Sequence, residues 1–102
     1  MMITADFAIL PVGIDNTECK EFVTKAVQAI KDSGLNYQLT GMGTQIEAVN
    51  YKELYTAIAK AQEAVFTAGT GRVYTVIKVD DRRDVENRTL NAKIKTVNDM
   101  LE

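Results

Sequence analysis

The chain has 102 residues, the length of one ordinary domain, and we expect a single domain spanning residues 1–102. Hydrophobic residues make up 46% and charged residues 25% of the sequence, which indicates a chain that buries a packed core. The net charge of −2, with scattered basic residues, argues against nucleic acid as a partner, because phosphate contacts require clustered Lys and Arg. The sequence contains no histidine, so we expect no Ser-His or Cys-His catalysis, no zinc site and no cofactor.

The sequence also bears on location. No apolar run approaches the ~18 residues of a membrane-spanning segment. The first residues include no basic segment followed by a cleavage site, as a signal peptide would require. A single cysteine, Cys19, has no partner for an intrachain disulfide. We therefore expect a cytoplasmic protein with no membrane partner.

Residues 2–10 are predicted to form the first strand, because apolar side chains recur at every second position. Pro11-Val12-Gly13 is predicted to end this strand, because proline donates no ladder hydrogen bond. Asp15 precedes Glu18 by three residues, a capping-box pattern that predicts the start of a helix. Gly34 is predicted to end that helix as the residue after its C-cap.

A hairpin is predicted next along the chain. Residues 35–40 and residues 44–49 alternate as two strands on either side of the Gly-Met-Gly turn at 41–43. Asn50 and Glu53 then form a second capping box, which predicts the start of another helix.

The last third of the sequence continues the same pattern. Gly69-Thr70-Gly71 is predicted to close the second helix, and residues 72–80 alternate as a fourth strand. An apolar stripe at helical spacing predicts a C-terminal helix that includes Leu90, Ile94, Val97 and Leu101. The order predicts an α+β fold, a ferredoxin-like βαββαβ sandwich. It has a four-stranded antiparallel sheet with two helices on one face, plus the C-terminal helix.

The sheet face away from the two main helices can be assigned from the alternation, since side chains two apart share a face. It is predicted to present Thr4, Asp6, Ala8, Leu10, Asn36, Gln38, Thr40, Gln45, Glu47, Val49, Tyr74, Val76 and Lys78. About half of these residues are apolar, and such a patch on a small domain is typical of a contact surface. We expect a second copy of the chain there, in a dimer or a tetramer.

Two carboxylates, Asp6 and Glu47, are predicted to lie on the central strands of that face. If a partner covers them, their charge requires compensation. Lys78 would supply it as a structural ion pair, or a bound cation or amine donor would supply it as a ligand. Structural ion pairs are the commoner cause of such arrangements, and the residues alone leave both interpretations open.

A set of short motifs along the chain points to a known family. It consists of Pro11-Val12-Gly13, Gly41-Met42-Gly43-Thr44-x-Ile46-Glu47, Arg72-Val73, Lys78-x-Asp80-Asp81-Arg82, and Lys93 with Val97. Together these resemble the small thiamine-binding protein family, which is related to the YkoF proteins, over nearly the whole chain. The resemblance implies homo-oligomers, often tetramers, built by sheet packing. It also implies binding of thiamine or its hydroxymethylpyrimidine part without catalysis.

The resemblance also implies which residues bind the ligand. Thr44 and Glu47 match the hairpin motif of the family, and Asp80 and Arg82 match its acidic-basic motif. A site for a thiazolium and an aminopyrimidine requires a carboxylate, a hydroxyl and an apolar or aromatic wall. We therefore expect ligand-binding roles for Asp6, Tyr37, Met42, Thr44, Glu47, Asp80 and Arg82, with Tyr74 as an alternative to Tyr37.

The sequence also bears on three other functions. An interaction module would use the uncovered sheet face only to form an oligomer, with no metabolite. Among small enzymes of this fold, an acylphosphatase is disfavoured because it needs a cation after the first strand and residues 11–15 supply none. A dimeric monooxygenase is disfavoured only mildly, by the lack of histidine. An RNA-recognition module requires aromatic residues on the central strands, where Asp6 and Glu47 lie instead.

Overall fold

Four strands and three helices follow one another in the order that the sequence predicts. In the computed structural model, which describes residues 1–15 and 17–101, they are β1 (Ile3–Val12), α1 (Lys20–Asp32), β2 (Asn36–Leu39), β3 (Thr44–Ala48), α2 (Tyr51–Thr67), β4 (Arg72–Asp81) and α3 (Leu90–Met100). The strands pair antiparallel in the order β2-β3-β1-β4, so β1 and β3 are central. The α+β, ferredoxin-like prediction is confirmed.

The core lies between one face of the sheet and the helices α1 and α2. Every second side chain of β1 points into it, and Ile3, Phe7 and Ile9 are at most 6% exposed. α1 contributes Ile30 and α2 contributes Leu54 to the same cluster, both without exposed surface. Full burial of such a side chain stabilises a fold by about 1.5–3 kcal/mol. Both helices therefore pack on the same face of the sheet, as predicted.

The two predicted capping boxes have different outcomes. Asn50 caps α2, because its side-chain oxygen accepts a hydrogen bond from the Glu53 N–H at 2.8 Å. The prediction for α1 is wrong: the helix begins at Lys20 rather than near Asp15, and Cys19 occupies the N-cap position without a side-chain cap. The reason is that β1 runs further than predicted, so the connection to α1 uses the residues that were expected to open the helix.

β1 continues through Pro11 and ends at Val12, two residues later than predicted. β1 pairs with β3 only from Ile3 to Phe7, whereas its pairing with β4 extends to Val12. Beyond Phe7, β1 therefore has a strand neighbour on one side only. Proline is tolerated in a strand where its nitrogen faces a side without a ladder partner, and Pro11 lies in this part of β1.

α3 lies against the sheet face opposite α1 and α2, where it bonds to side chains of β1, β3 and β4. The Thr89 side chain caps it by accepting a hydrogen bond from the Ala92 N–H at 3.0 Å. None of the described α3 residues is fully buried, so the helix covers only part of that face. Across the described residues, no helix combines the length and the apolar character that crossing a membrane requires.

Gly43 brings the turn between β2 and β3 close to β1. A Cβ added at Gly43 would lie 2.9 Å from Asp6 Oδ1 and 3.0 Å from Phe7 O. Both distances are shorter than ordinary van der Waals contacts, and the second involves main chain that cannot rotate away. Gly41, at the other end of the same turn, has open space around the corresponding position. The turn therefore requires glycine at position 43 because of the close approach.

We expect Gly43→Ala to lower the free energy of unfolding by about 1–3 kcal/mol, because the added methyl group must displace Asp6 or the strand. Gly41→Ala is the matched control and should change it by less than about 0.5 kcal/mol. Urea denaturation of both variants and the unmodified protein measures the difference. Equal stability of the two variants would contradict the role assigned to the close approach.

Candidate functional site

The residues predicted for the site divide between the two faces of the sheet. In the strand register, Thr4 lies opposite Glu47 on one side and opposite Asp80 on the other. Residues opposite each other in neighbouring strands share a face, and Asp6 shares it because it is two positions from Thr4. We call this the α3 face, since α3 covers part of it. It includes Thr4, Asp6, Gln45, Glu47, Lys78 and Asp80.

Thr44 and Tyr37 belong to the opposite face, with the core. Thr44 lies opposite Phe7 in the register, and Tyr37 lies opposite the buried Ile46. Tyr37 is partly buried and packs against the core cluster. The structure therefore does not bring Tyr37 together with Glu47.

Glu47 is a nearly buried carboxylate, 9% exposed, with both oxygens occupied. Oε1 accepts a hydrogen bond from Asn36 Nδ2 at 2.6 Å, and Oε2 accepts one from the Leu90 N–H at 2.8 Å. Leu90 is the first residue of α3, where the helix dipole favours a negative charge. The ion pair with Lys78 that was considered from the sequence is not formed, and Lys78 pairs with no residue that the structure describes.

Asp80 holds the end of the first turn of α3 against the sheet. Lys93, on α3, forms an ion pair with Asp80 and also donates to Thr4 Oγ1 at 2.7 Å. The Lys93 side chain is 28% exposed and that of Asp80 is 60% exposed, so water screens the pair partly. A cleft of about 300 Å³ lies beside these residues and is also lined by Asp6 and Lys78; we call it the polar cleft because most of its lining residues are polar or charged.

Arg82 follows β4 and is engaged with a neighbour in sequence. Its guanidinium donates two hydrogen bonds to the Asp84 carboxylate, at 2.8 and 3.1 Å. These bonds hold the pKa of Asp84 below its ordinary value and raise the pKa of Arg82. In the same segment, hydrogen bonds from Arg83 and then from Tyr51 lower the pKa of Asp81. The Arg82–Asp84 pair lies on the surface and is of a kind that contributes little to stability, whereas the Asp81 side chain is only 13% exposed.

A second, largely apolar cleft of about 440 Å³ lies where β1 extends past β3. Its walls come from the second half of β1, from α1 and from the turn between β2 and β3, and include Ile9, Leu10, Val23, Ala26, Leu39 and Gly43. Two of the predicted ligand-binding residues line it. Met42 is 94% exposed at the tip of the turn, whereas Thr44 is 5% exposed. The Thr44 hydroxyl forms no hydrogen bond with any residue in the described part of the chain.

Asp6 lies at the boundary between the two clefts. Its Oδ2 accepts a hydrogen bond from Gln45 Nε2 at 3.2 Å, and the residue lines the polar cleft. Its Oδ1 lies against Gly43, which lines the apolar cleft. The sequence analysis placed Asp6 on the correct face but did not predict the apolar cleft, because that cleft depends on β3 ending before β1.

We expect Glu47→Gln to destabilise the protein by about 1–3 kcal/mol, because an amide has one acceptor oxygen and must leave Asn36 or the Leu90 N–H unpaired. Amide hydrogens of α3 should exchange faster in this variant. Glu63→Gln, an exposed position on α2, is the matched control. Thermal unfolding and hydrogen exchange measure both effects, and unchanged exchange across α3 would refute the anchoring role.

Comparisons with known proteins agree with this fold. Residues 5–98 match the family model described as thiamine-binding protein. A UPF0045 protein of Methanothermobacter thermautotrophicus is 42% identical over 100 residues, covering 98% of this chain and 100% of the relative. The UPF0045 protein YqgV of Bacillus subtilis is 37% identical over 105 residues and covers 99% of each chain.

Solved structures show the same architecture. A hypothetical protein of Methanocaldococcus jannaschii has a TM-score of 0.86 at 29% identity, covering 95% of this chain and 96% of that one. A Thermotoga maritima protein named for thiamine biosynthesis/salvage has a TM-score of 0.80, and the match covers 95% of this chain and 99% of that one. At 14% identity, this second likeness shows the fold alone. Because the family match spans nearly the whole sequence, the chain belongs to the thiamine-binding protein family.

Proposed function

We propose that this protein binds thiamine, or its hydroxymethylpyrimidine part, in the apolar cleft and does not convert it chemically. The observation that carries the proposal is the Thr44 hydroxyl, which lines a largely apolar cleft and forms no hydrogen bond with the residues that the structure describes. The Thr44 hydroxyl is not among the fully buried side-chain atoms that lack a partner, so it keeps accessible surface through which it could exchange hydrogen bonds with a ligand. Membership of the thiamine-binding protein family supports this ligand class.

The chemistry of thiamine suits the residues around the cleft. Its two rings are flat and would bury apolar surface against β1 and α1, and the volume of about 440 Å³ is within the range of small-molecule sites. The thiazolium ring is positively charged, and the carboxylate of Asp6 adjoins the cleft at Gly43. Met42, a flexible and polarizable side chain between two glycines, would close over the bound rings.

Further support comes from the Thermotoga maritima protein, which shares the fold and whose name refers to thiamine biosynthesis and salvage. The family is named for binding rather than for a reaction, which favours a non-catalytic role. We propose the cytoplasm as the location, since the lone Cys19 is compatible with a reducing compartment.

Calorimetric titration of thiamine tests the proposal. Thr44→Val keeps the shape of the side chain but removes the hydroxyl, so affinity should fall about three- to tenfold. Thr67→Val, an exposed position at the end of α2, is the matched control and should bind as the unmodified protein does. If the unmodified protein releases no heat with thiamine, the proposed function is wrong.

The same titration examines Glu47, which the family motif selects as a ligand-binding residue. If the ligand lies in the apolar cleft, Glu47→Gln should bind thiamine with nearly unchanged affinity. A tenfold to hundredfold loss, as expected for a charge-assisted hydrogen bond, would instead place the ligand on the α3 face beside Glu47.

We propose in addition that copies of the chain associate through the α3 face. Leu10, Tyr74 and Val76 are apolar side chains of this face that are 47–58% exposed. Ile94 and Val97 of α3 are also exposed, 43% and 58%, although they belong to its apolar stripe. A second copy packed on the face would bury both sets, and this association forms a homodimer or a homotetramer.

Light scattering tests this association. At micromolar concentration, the unmodified protein should have the mass of two or four copies of the 11.3 kDa chain. Val76→Lys introduces a charge into the proposed interface and should shift the mass towards the monomer. Phe66→Lys, at an exposed position on α2 away from this face, should leave the mass unchanged. A monomeric unmodified protein would rule out the association.

A further inference from the structure

One stretch of the β1 backbone lacks a strand partner on one side, and this stretch borders the apolar cleft. β1 pairs with β3 as far as Phe7 and with β4 as far as Val12. Beyond Phe7, backbone groups of β1 that point away from β4 therefore have no neighbouring strand among the described residues. Ile9 lies in this stretch and lines the cleft.

The direction of each backbone group follows from two contacts. The Phe7 carbonyl points towards β3, because a Cβ added at Gly43 would lie 3.0 Å from its oxygen. The Val12 carbonyl points towards β4, because it accepts a hydrogen bond from the Thr70 hydroxyl at 3.1 Å. In an antiparallel sheet, alternate residues direct both their N–H and their C=O to the same side. Ile9, two residues after Phe7, therefore directs both groups to the side without a strand.

We infer that the main-chain N–H and C=O of Ile9 form the hydrogen-bonding edge that recognises the ligand's ring. The ligand class is an aromatic heterocycle with an exocyclic amine beside a ring nitrogen, as in an aminopyrimidine. The Ile9 N–H donates to the ring nitrogen, and the amine donates to the Ile9 carbonyl. This inference rests on the proposed function and names the group that would select the ring.

The composition of the edge favours a single ring over an added peptide strand. A strand would pair with successive alternate residues of β1, which here are Ile9 and Pro11. Pro11 has no N–H, so Ile9 supplies the only main-chain donor on this side of β1 between Phe7 and Val12. The apolar walls around it, which include Val23 and Leu39, would exclude water once a ring fills the cleft, and this would strengthen such hydrogen bonds.

Hydrogen exchange followed by NMR tests the inference. In the free protein, the Ile9 amide should exchange faster than the amides of Ala8 and Leu10, which point towards β4. Addition of thiamine should slow exchange at Ile9 by tenfold or more, on the order expected for a newly bonded amide, and leave Leu10 unchanged. Slow exchange at Ile9 without ligand would overturn the inference. If that slow exchange also depended on protein concentration, the occupant of the edge would be a strand from a second copy.

Replacement of a backbone amide by an ester gives an independent measurement that keeps every side chain. An ester at position 9 removes the Ile9 N–H and should weaken thiamine binding about three- to tenfold while stability changes little. The same replacement at position 10 removes a bond to β4, so it should lower stability and leave affinity nearly unchanged. If thiamine binds and the ester at position 9 has no effect on affinity, the inference is wrong but the proposed function stands. If thiamine does not bind the unmodified protein, both are wrong.

Discussion

The alternation of side chains along β1 is the constraint on which the rest of the structure depends. Ile3 and Ile9 point to the core, whereas Thr4 and Asp6 point to the α3 face. Because β1 is a central strand, a slip of one residue would exchange these two sets and bury a carboxylate in place of an isoleucine. The long pairing with β4, from Ile3 to Val12, prevents that slip.

A difference in strand length then creates the apolar cleft. β3 is five residues long and β1 is ten, so the sheet loses one of its strands halfway along β1. α1 and the turn that contains Gly43 border the space beside the unpaired half of β1 without filling it. The cleft thus combines apolar walls with backbone groups of β1 that have no strand partner.

The strands, their faces and the sheet order were predictable because they depend on local periodicity and on general rules of chain connection. The ends of β1 and α1 were not, because they depend on where β4 continues to pair. The sequence also did not predict which group compensates the charge of Glu47. Its donor, the Leu90 N–H, is 43 residues away and is positioned by the way α3 folds back.

The separation of Thr44 from Glu47 shows a limit of motif-based assignment. The two residues belong to one short motif, and for that reason they were assigned to one site. They lie on β3 three positions apart, and an odd separation in a strand places side chains on opposite faces. The alternation already contained this information, whereas the motif, considered as a unit, did not.

The attachment of α3 has a consequence for how the molecule melts. No described residue of α3 is fully buried, so its detachment would leave the hydrophobic core intact. Salt screens the partly exposed Lys93–Asp80 pair more than the nearly buried bond from Leu90 to Glu47. As ionic strength rises, the helix should therefore loosen from Lys93 towards its C-terminus while Leu90 stays bound to Glu47. α3 is then a local unfolding unit hinged at Glu47, and its opening uncovers the polar cleft well below the free energy of global unfolding.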